Sequence, residues 1–576
     1  MLVHGFVQEV GDVLGRKEEA ESERFGAREA LHPLRIISER VRYFGDMTLN
    51  PTPSTAMLRL TALLALLVSL LTTSARIHPP ENQLEALLER ARKASGFTEL
   101  PNVASLELVG GAENMGAPGQ FAGVYSRRGQ FKTALIGDLP RYVSFDGKQA
   151  WERELNTGPY PLEFFAREWA VLRAWVHSGY WLAPDAPVTV MRSPRAAEGF
   201  ALEVRLANGL LTALVHLDKE SLLPTRMSLP NGNGELFVEF DQYERVATVQ
   251  LAHLVRTQVF EGSSSFWELT QVTRKDDLPV DTFCAPPRAK DTHFKVMEDN
   301  SVELLRNERK HLFLRPIING KEVGLFLFDT GAGFSGVRRE VVEELGLAVI
   351  GENSVTGLGG ALSPTKLSRI DSLQLGPLTI RDLVVTQSQI GKTSEVNGER
   401  VVGVLGWDLL SRAVIDFDPG GGRMRIFDPA SPSLAAMTGV KDSVWQPIHL
   451  HYSVPYVEME FDGDRHGLFM VDTGAAGFTV YFYADVARRL GLLSKSDGEP
   501  RTQGTGAGGA FSSTLGHLDW VHFARAGKLN DLSIVLGVGE DGEVDPYSLG
   551  LLGGGVLRLY RLVIDYSRNR IAFLPK

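Results

Sequence analysis

The strongest constraint on this chain is a segment written twice. Residues 324–337 read GLFLFDTGAGFSGV, and residues 467–480 read GLFMVDTGAAGFTV. In each, Gly-Leu-Phe and two more apolar residues run into Asp-Thr-Gly-Ala, at Asp329 and at Asp472. The likeness extends in both directions. Asn319-Gly320 and Asp462-Gly463 come before, each a pair suited to a two-residue hairpin turn. Nine residues separate the turn glycine from the aspartate in both copies (320 to 329, 463 to 472). After the aspartates come the short helical stretches REVVEELGL and ADVARRLGL, then glycine-rich segments at 355–363 and 502–512. A hydrophobic-hydrophobic-Gly step follows, Val404-Leu405-Gly406 or Leu551-Leu552-Gly553. The closing strands are AVIDFDPGGGRMRIF and LVIDYSRNRIAFL, and their aspartates stand 87 and 93 residues after the first ones (329 to 416, 472 to 565). This is one β-domain repeated.

Each copy carries the same local logic. The apolar strand delivers its aspartate into a sheltered, partly desolvated position. Thr330 is small and can hydrogen-bond across to the partner loop, with Thr473 its counterpart. Gly331 and Gly474 suit a backbone of positive φ and a close approach by the other loop. Gly406 and Gly553 let a second strand pass tightly by the first. Two carboxylates a few ångströms apart cannot both ionise easily, so they share one proton and titrate as a unit. Such a pair can take a proton from a bound water and give one to a carbonyl.

The remainder of the chain sets the frame. Its 576 residues suggest three or four domains of roughly 150 residues each. A formal net charge of −10 without long single-sign runs argues against nucleic acid as a partner. The single cysteine, Cys284, excludes an internal disulfide framework and a cysteine zinc site. His451, His466, His517 and His522 lack paired metal-ligand spacing, so neither a metal nor another cofactor is expected. Residues 57–75, MLRLTALLALLVSLLTTSA, combine a basic start, a short apolar core and a small-residue end, the pattern of a signal peptide. Their apolar run is too short to span a bilayer. Residues 1–56 before it are polar and weakly patterned; the reading adopted is an extension preceding a true start at Met57, with a cytoplasmic tail before a signal anchor as the other option. Either way the chain is expected to be exported, periplasmic or secreted.

Residues 81–283 begin with an amphipathic helix (81–96) and continue in short alternating segments interrupted by one helical stretch, PLEFFAREWAVLRAWVHSGYW. That pattern predicts an antiparallel curved sheet, or half-barrel, with a helix. A linker at 284–301 precedes the first copy of the repeat, 302–430, and the second occupies 431–576.

The ordered set of an apolar strand, Asp-Thr-Gly-Ala, a glycine-rich segment and hydrophobic-hydrophobic-Gly resembles the retropepsin-like aspartic protease family, twice over. The resemblance implies a mainly β fold of two barrel lobes about a pseudo-twofold axis. It implies an endopeptidase acting on peptides or proteins through Asp329 and Asp472, with Thr330, Gly331, Thr473 and Gly474 supporting their loops. It further implies two flaps over an extended substrate, at Gly357, Leu358, Gly359 and Gly360 and at Gly504, Thr505 and Gly506. The copies depart from each other after the triplets. Gly406 is followed by Trp407-Asp408, Gly553 by Gly554-Gly555. Segments FDGKQAWE (145–152) and LDKESLLPTRM (217–227) give residues 81–283 a resemblance to the lipoprotein-carrier half-barrel, which implies contact with a lipid or lipoprotein. Three other readings stand beside this one. The triplets could be turns in two packed barrels; the protein could be an exported binding protein that grips peptides or lipoproteins without cutting; or each half could pair with a second chain.

Overall fold

The computed structural model describes residues 81–576 except 156, 194–199, 232–233, 261–262, 356, 358–362, 389–394, 452, 496–501, 507–508, 524 and 540–546. The extension 1–56, the signal segment 57–75 and Leu358, Gly359 and Gly360 lie outside the described residues.

The fold is mainly β. The helix Glu81–Ser95 stops where Gly96 takes a φ of 62°. Thirteen strands then form one antiparallel sheet whose two halves meet where Ser105–Asn114 pairs with Ser263–Lys275. The second helix, Phe164–Ser178, lies against this sheet and buries Trp169, Leu172 and Trp175. The enclosed space between helix and sheet, lined by Phe121, Phe131, Phe240 and Trp267 among others, is about 20 Å³, room for a single water.

Two further sheets hold the repeat. In the first, Leu325–Phe328 runs parallel to Glu399–Leu405; in the second, Arg465–Val471 runs parallel to Ser548–Leu552. Parallel strands buried on both faces need continuous apolar runs, which GLFLF and GLFMV supply. Both copies begin with a hairpin in which the turn residues have positive φ, Asn319 and Gly320 at 49° and 76°, Asp462 and Gly463 at 35° and 84°. The first is the expected two-residue turn, closed by Ile318 opposite Lys321. The second differs: Phe461 pairs with Arg465, so Asp464 joins the loop and makes it three residues long.

A six-stranded sheet ties the copies together. Val414–Phe417 from the first pairs antiparallel with Tyr560–Asp565 from the second. Val414 lies opposite Asp565, Ile415 opposite Ile564 and Asp416 opposite Val563. Asp416 matches Asp565 in the repeat, so this register is its own image about the isoleucine pair, a local twofold. Both aspartates are buried and held by arginines, Asp416 by Arg425 and Arg561, Asp565 by Arg568 and Arg570.

The N-terminal sheet packs on both lobes. Trp407 of the first lobe lies edge-on to Tyr160 at 5.4 Å and to Tyr566 of the second lobe at 5.0 Å. Glu163 accepts the Leu450 amide at 3.2 Å, and Tyr547 donates to Glu168. Met115, at a hairpin tip, accepts the Glu352 amide at 2.8 Å.

Candidate active site

Each aspartate is set by the strand beside it. The Asp329 amide donates to Leu405 O at 2.9 Å and the Asp472 amide to Leu552 O at 3.0 Å. The next residue across is the glycine of the hydrophobic-hydrophobic-Gly step. A Cβ on Gly406 would stand 2.3 Å from Ala332 O, and one on Gly553 would stand 2.5 Å from Ala475 O. The strand can therefore pass the aspartate loop only with glycine there.

The threonines lock the two loops to each other. The Thr330 hydroxyl donates to Val471 O at 2.6 Å and accepts the Thr473 amide at 3.0 Å. The Thr473 hydroxyl donates to Phe328 O at 2.9 Å and accepts the Thr330 amide at 3.0 Å. Both side chains are buried, and the hydroxyl and amide of each threonine are satisfied within this crossed pair, which makes such a network rigid.

The lock brings the carboxyls together. Asp329 Oδ1 accepts its own loop's Gly331 amide at 2.8 Å. Asp472 Oδ1 accepts the amides of Gly474 at 2.8 Å and Ala475 at 3.1 Å. The two carboxyl groups face each other across the crossed loops, near enough to share a proton. Burial, first of all, raises both above the ordinary aspartate range. Asp472 is held well above it, because the charge of Asp329 adds to burial. Of the two causes expected for the loop glycines, only one holds. Neither Gly331 nor Gly474 has a positive φ. Their hydrogen faces the opposing carboxyl: a Cβ on Gly331 would lie 2.8 Å from Asp472 Cγ, and one on Gly474 would lie 2.5 Å from Asp329 Oδ2. Close approach alone demands glycine here.

The expected flaps fall on two hairpins. In the first, Val349–Val355 pairs with Ser363–Leu375, closing at Val355 and Ser363, with Gly357 just beyond. In the second, Gly504, Thr505 and Gly506 lie on the strand Thr502–Gly506, opposite Phe511, Ala510 and Gly509. The hairpins reach the aspartate loops through aromatic side chains. Phe334 packs with Ile350 and Leu367, and Phe511 packs edge-on against Phe478 at 5.9 Å.

One site residue gave no signal in the sequence. His311 stands just before the strand beside Asp329, whose register carried two residues past Phe313–Leu327 sets it opposite the aspartate, close enough for their charges to interact. It lies 18 residues before Asp329, outside every repeated motif (311 to 329). Only a strand-by-strand superposition of the copies would have singled it out.

Among known proteins, residues 315–409 match the model of the aspartyl protease family. The matched stretch contains Asp329–Gly331, the first hairpin and Gly406. The crystal structure of aspartic proteinase from Irpex lacteus aligns with 48% of this chain and 97% of its own, at 13% identity and a TM-score of 0.33. No curated protein sequence matches the chain. The first copy of the repeat is thus similar to aspartyl proteases.

Proposed function

We propose that the protein is an exported aspartic endopeptidase whose catalytic pair is Asp329 and Asp472, assembled within one chain. The observation that carries this reading is the pair of buried carboxyls, each packed against the glycine of the opposite loop, at the end of two crossed, equivalent loops. The ionised carboxylate takes a proton from a water as the water oxygen attacks the peptide carbonyl carbon. The protonated partner gives its proton to the carbonyl oxygen, so a neutral gem-diol forms and the pair ends with its charge exchanged. Collapse returns the diol proton to the carboxylate, and the amine leaves with the other proton. The substrate is an extended peptide or unfolded protein segment, bound between the two hairpins. Residues 81–283, 302–430 and 431–576 are proposed as the three folding regions. Lipid or lipoprotein contact through the first would require the helix Phe164–Ser178 to move off its sheet, given the roughly 20 Å³ between them.

The test is cleavage of a denatured protein and a peptide library at mildly acid pH by wild type, Asp329→Asn and Asp472→Asn. Loss in both variants is expected. Full activity in both would sink the catalytic pair, and loss in only one would sink its assembly within a single chain.

A further inference from the structure

The lobes are alike at the carboxyls and unlike on either side of them. The strand pairings put Phe313 opposite Leu327 and Tyr456 opposite Met470, each of those partners two residues before its aspartate. Phe313 and Tyr456 are therefore equivalent. Three residues earlier, Lys310 matches Ser453, and both take a positive φ, 69° and 65°. Two turns related by a twofold lie on opposite sides of its axis, so these two mark opposite ends of the cleft. At one end the Ser453 hydroxyl donates to Gly333 O at 3.3 Å. The second lobe's turn is thereby joined to the loop that follows Asp329.

The N-terminal sheet covers that end. Its Leu139 and Leu155 pack with Phe334, next to Gly333, and with Ile350 and Leu367 of the first hairpin. Arg369 of the same hairpin donates to Asp138 O at 2.7 Å. Five residues past Leu155, Tyr160 meets Trp407, whose amide donates to Ala332 O at 2.9 Å. The first turn of the helix Phe164–Ser178 then reaches the second lobe. Phe165 stacks on His451 at 6.1 Å, Phe164 lies 5.0 Å from Tyr547, and Glu163 accepts the Leu450 amide at 3.2 Å. One region of the chain thus touches the aspartate loop, the first hairpin and the opposing lobe's turn. Those are the three walls that a peptide leaving the carboxyls in this direction would pass. His451 and Ser453 are buried here, whereas at the other end their counterparts Glu308 and Lys310 are exposed, as are Arg309 and Gly477.

We propose that the N-terminal sheet closes the cleft at one end, so that a bound peptide places one of its termini there and is cut a few residues from it, the remainder leaving by the open end. An extended peptide advances about 3.3 Å per residue, so a wall this close to the aspartate loop leaves room for only a few residues on its side of the cut. The inference rests on the peptidase reading above and restricts only where the cut falls.

The full chain is tested on a random peptide library made at two lengths, one twice the other, with each cut located by mass spectrometry. Cuts should stand at the same few positions from one terminus at both lengths. Adding residues on that side of a cleaved bond should lower kcat/KM by about 10²-fold, because the bond no longer sits in register with the carboxyls. Adding them on the other side should not lower it. The double variant Glu163→Gln/Phe165→Ala loosens the helix from the second lobe and should lessen the penalty. Cuts spread through the longer library, or equal tolerance of extension on both sides, overturns the proposal, and both are read on wild type whether or not the variant folds. Neither result bears on the peptidase reading, which fails instead by full activity in the two aspartate variants.

Discussion

In the first lobe the loop after the aspartate is anchored by a side chain: buried Asp408 accepts the amide of Ser335. In the second lobe Gly555 takes the place of Asp408, but the aspartate loop is two residues longer, Val480 stands where Ser335 does, and the anchor runs instead to Phe478 with the bond reversed. The Gly555 amide donates to the Phe478 carbonyl at 2.6 Å. A Cβ on Gly555 would meet that carbonyl oxygen at 2.6 Å. The divergence after Gly406 and Gly553 is therefore two solutions to one requirement, tying the aspartate loop to the short helix that follows. Further out the lobes part company altogether. The first hairpin is bonded to the N-terminal sheet at Met115 and packs its Leu367 and Ile350 against that sheet's Leu139 and Leu155. The second leans on its own lobe, through Phe478 and Tyr481. Sequence identity between the copies is concentrated where the chemistry needs a twofold and is lost where the surroundings differ.

The comparison can be broken most severely at its centre. Asp329→Asn and Asp472→Asn should each lower kcat/KM by about 10²–10⁴-fold, the usual worth of a proton-transfer group; a steady-state assay showing unequal losses of more than tenfold would mean the inner halves are not equivalent. Thr330→Val and Thr473→Val come next. Each leaves a buried amide and a buried carbonyl without a partner, so each should lose about 2–4 kcal/mol in urea unfolding, and by the same amount. Asp408→Gly imposes the second lobe's residue on the first. It should be destabilising by about 2 kcal/mol in the same experiment, because Ser335 presents its amide, not its carbonyl, to that position. A neutral result would show that the two anchors are interchangeable. The smallest effect concerns pH. Asp472 has a folded pKa raised above its unfolded value, so between the two the folded state binds the extra proton and stability falls as pH rises. Asp472→Asn removes that dependence. Its melting temperature should exceed wild type at neutral pH, and the gain should vanish once the pH drops below the ordinary aspartate range.

Much of this was readable beforehand because repetition marks what chemistry holds constant. The crossed threonines, the passing glycines and the closing strands were all legible from two aligned copies. The amphipathic spacing of the first helix, with Gly96 as its stop, was equally plain. What escaped did so for physical reasons. Gly331 and Gly474 were read as glycines of positive φ as well as of close approach, yet only the approach holds, and what they approach is a carboxyl 141 or 145 residues away in sequence, which no local pattern names (331 to 472, 329 to 474). The second hairpin turn gained a residue because register is set by which residues pair, not by the Asp-Gly motif alone. His311 broke the repeat, and a search for likeness passes over what is unlike. The arginines that neutralise Asp416 and Asp565 follow the repeat only in part: Arg425 and Arg570 sit opposite the two aspartates at equivalent strand positions, whereas Arg561 reaches Asp416 from the other lobe and Arg568 reaches Asp565 from the turn that follows it.

The crossed threonines carry a last consequence, for when the site comes into being. Their four bonds join residues 141 to 145 apart. The amide of Asp472 is satisfied only by Leu552, and the strand that welds the lobes together is Tyr560–Asp565. Contacts of such long separation close slowly and late, since the chain between must be ordered before they reward it. A ribosome-bound or truncated chain that has the first aspartate, its loop and its hairpin still has one carboxyl without its partner. Synthesis order therefore delays the site: the two carboxyls are held face to face only after Tyr560–Asp565 has found its place.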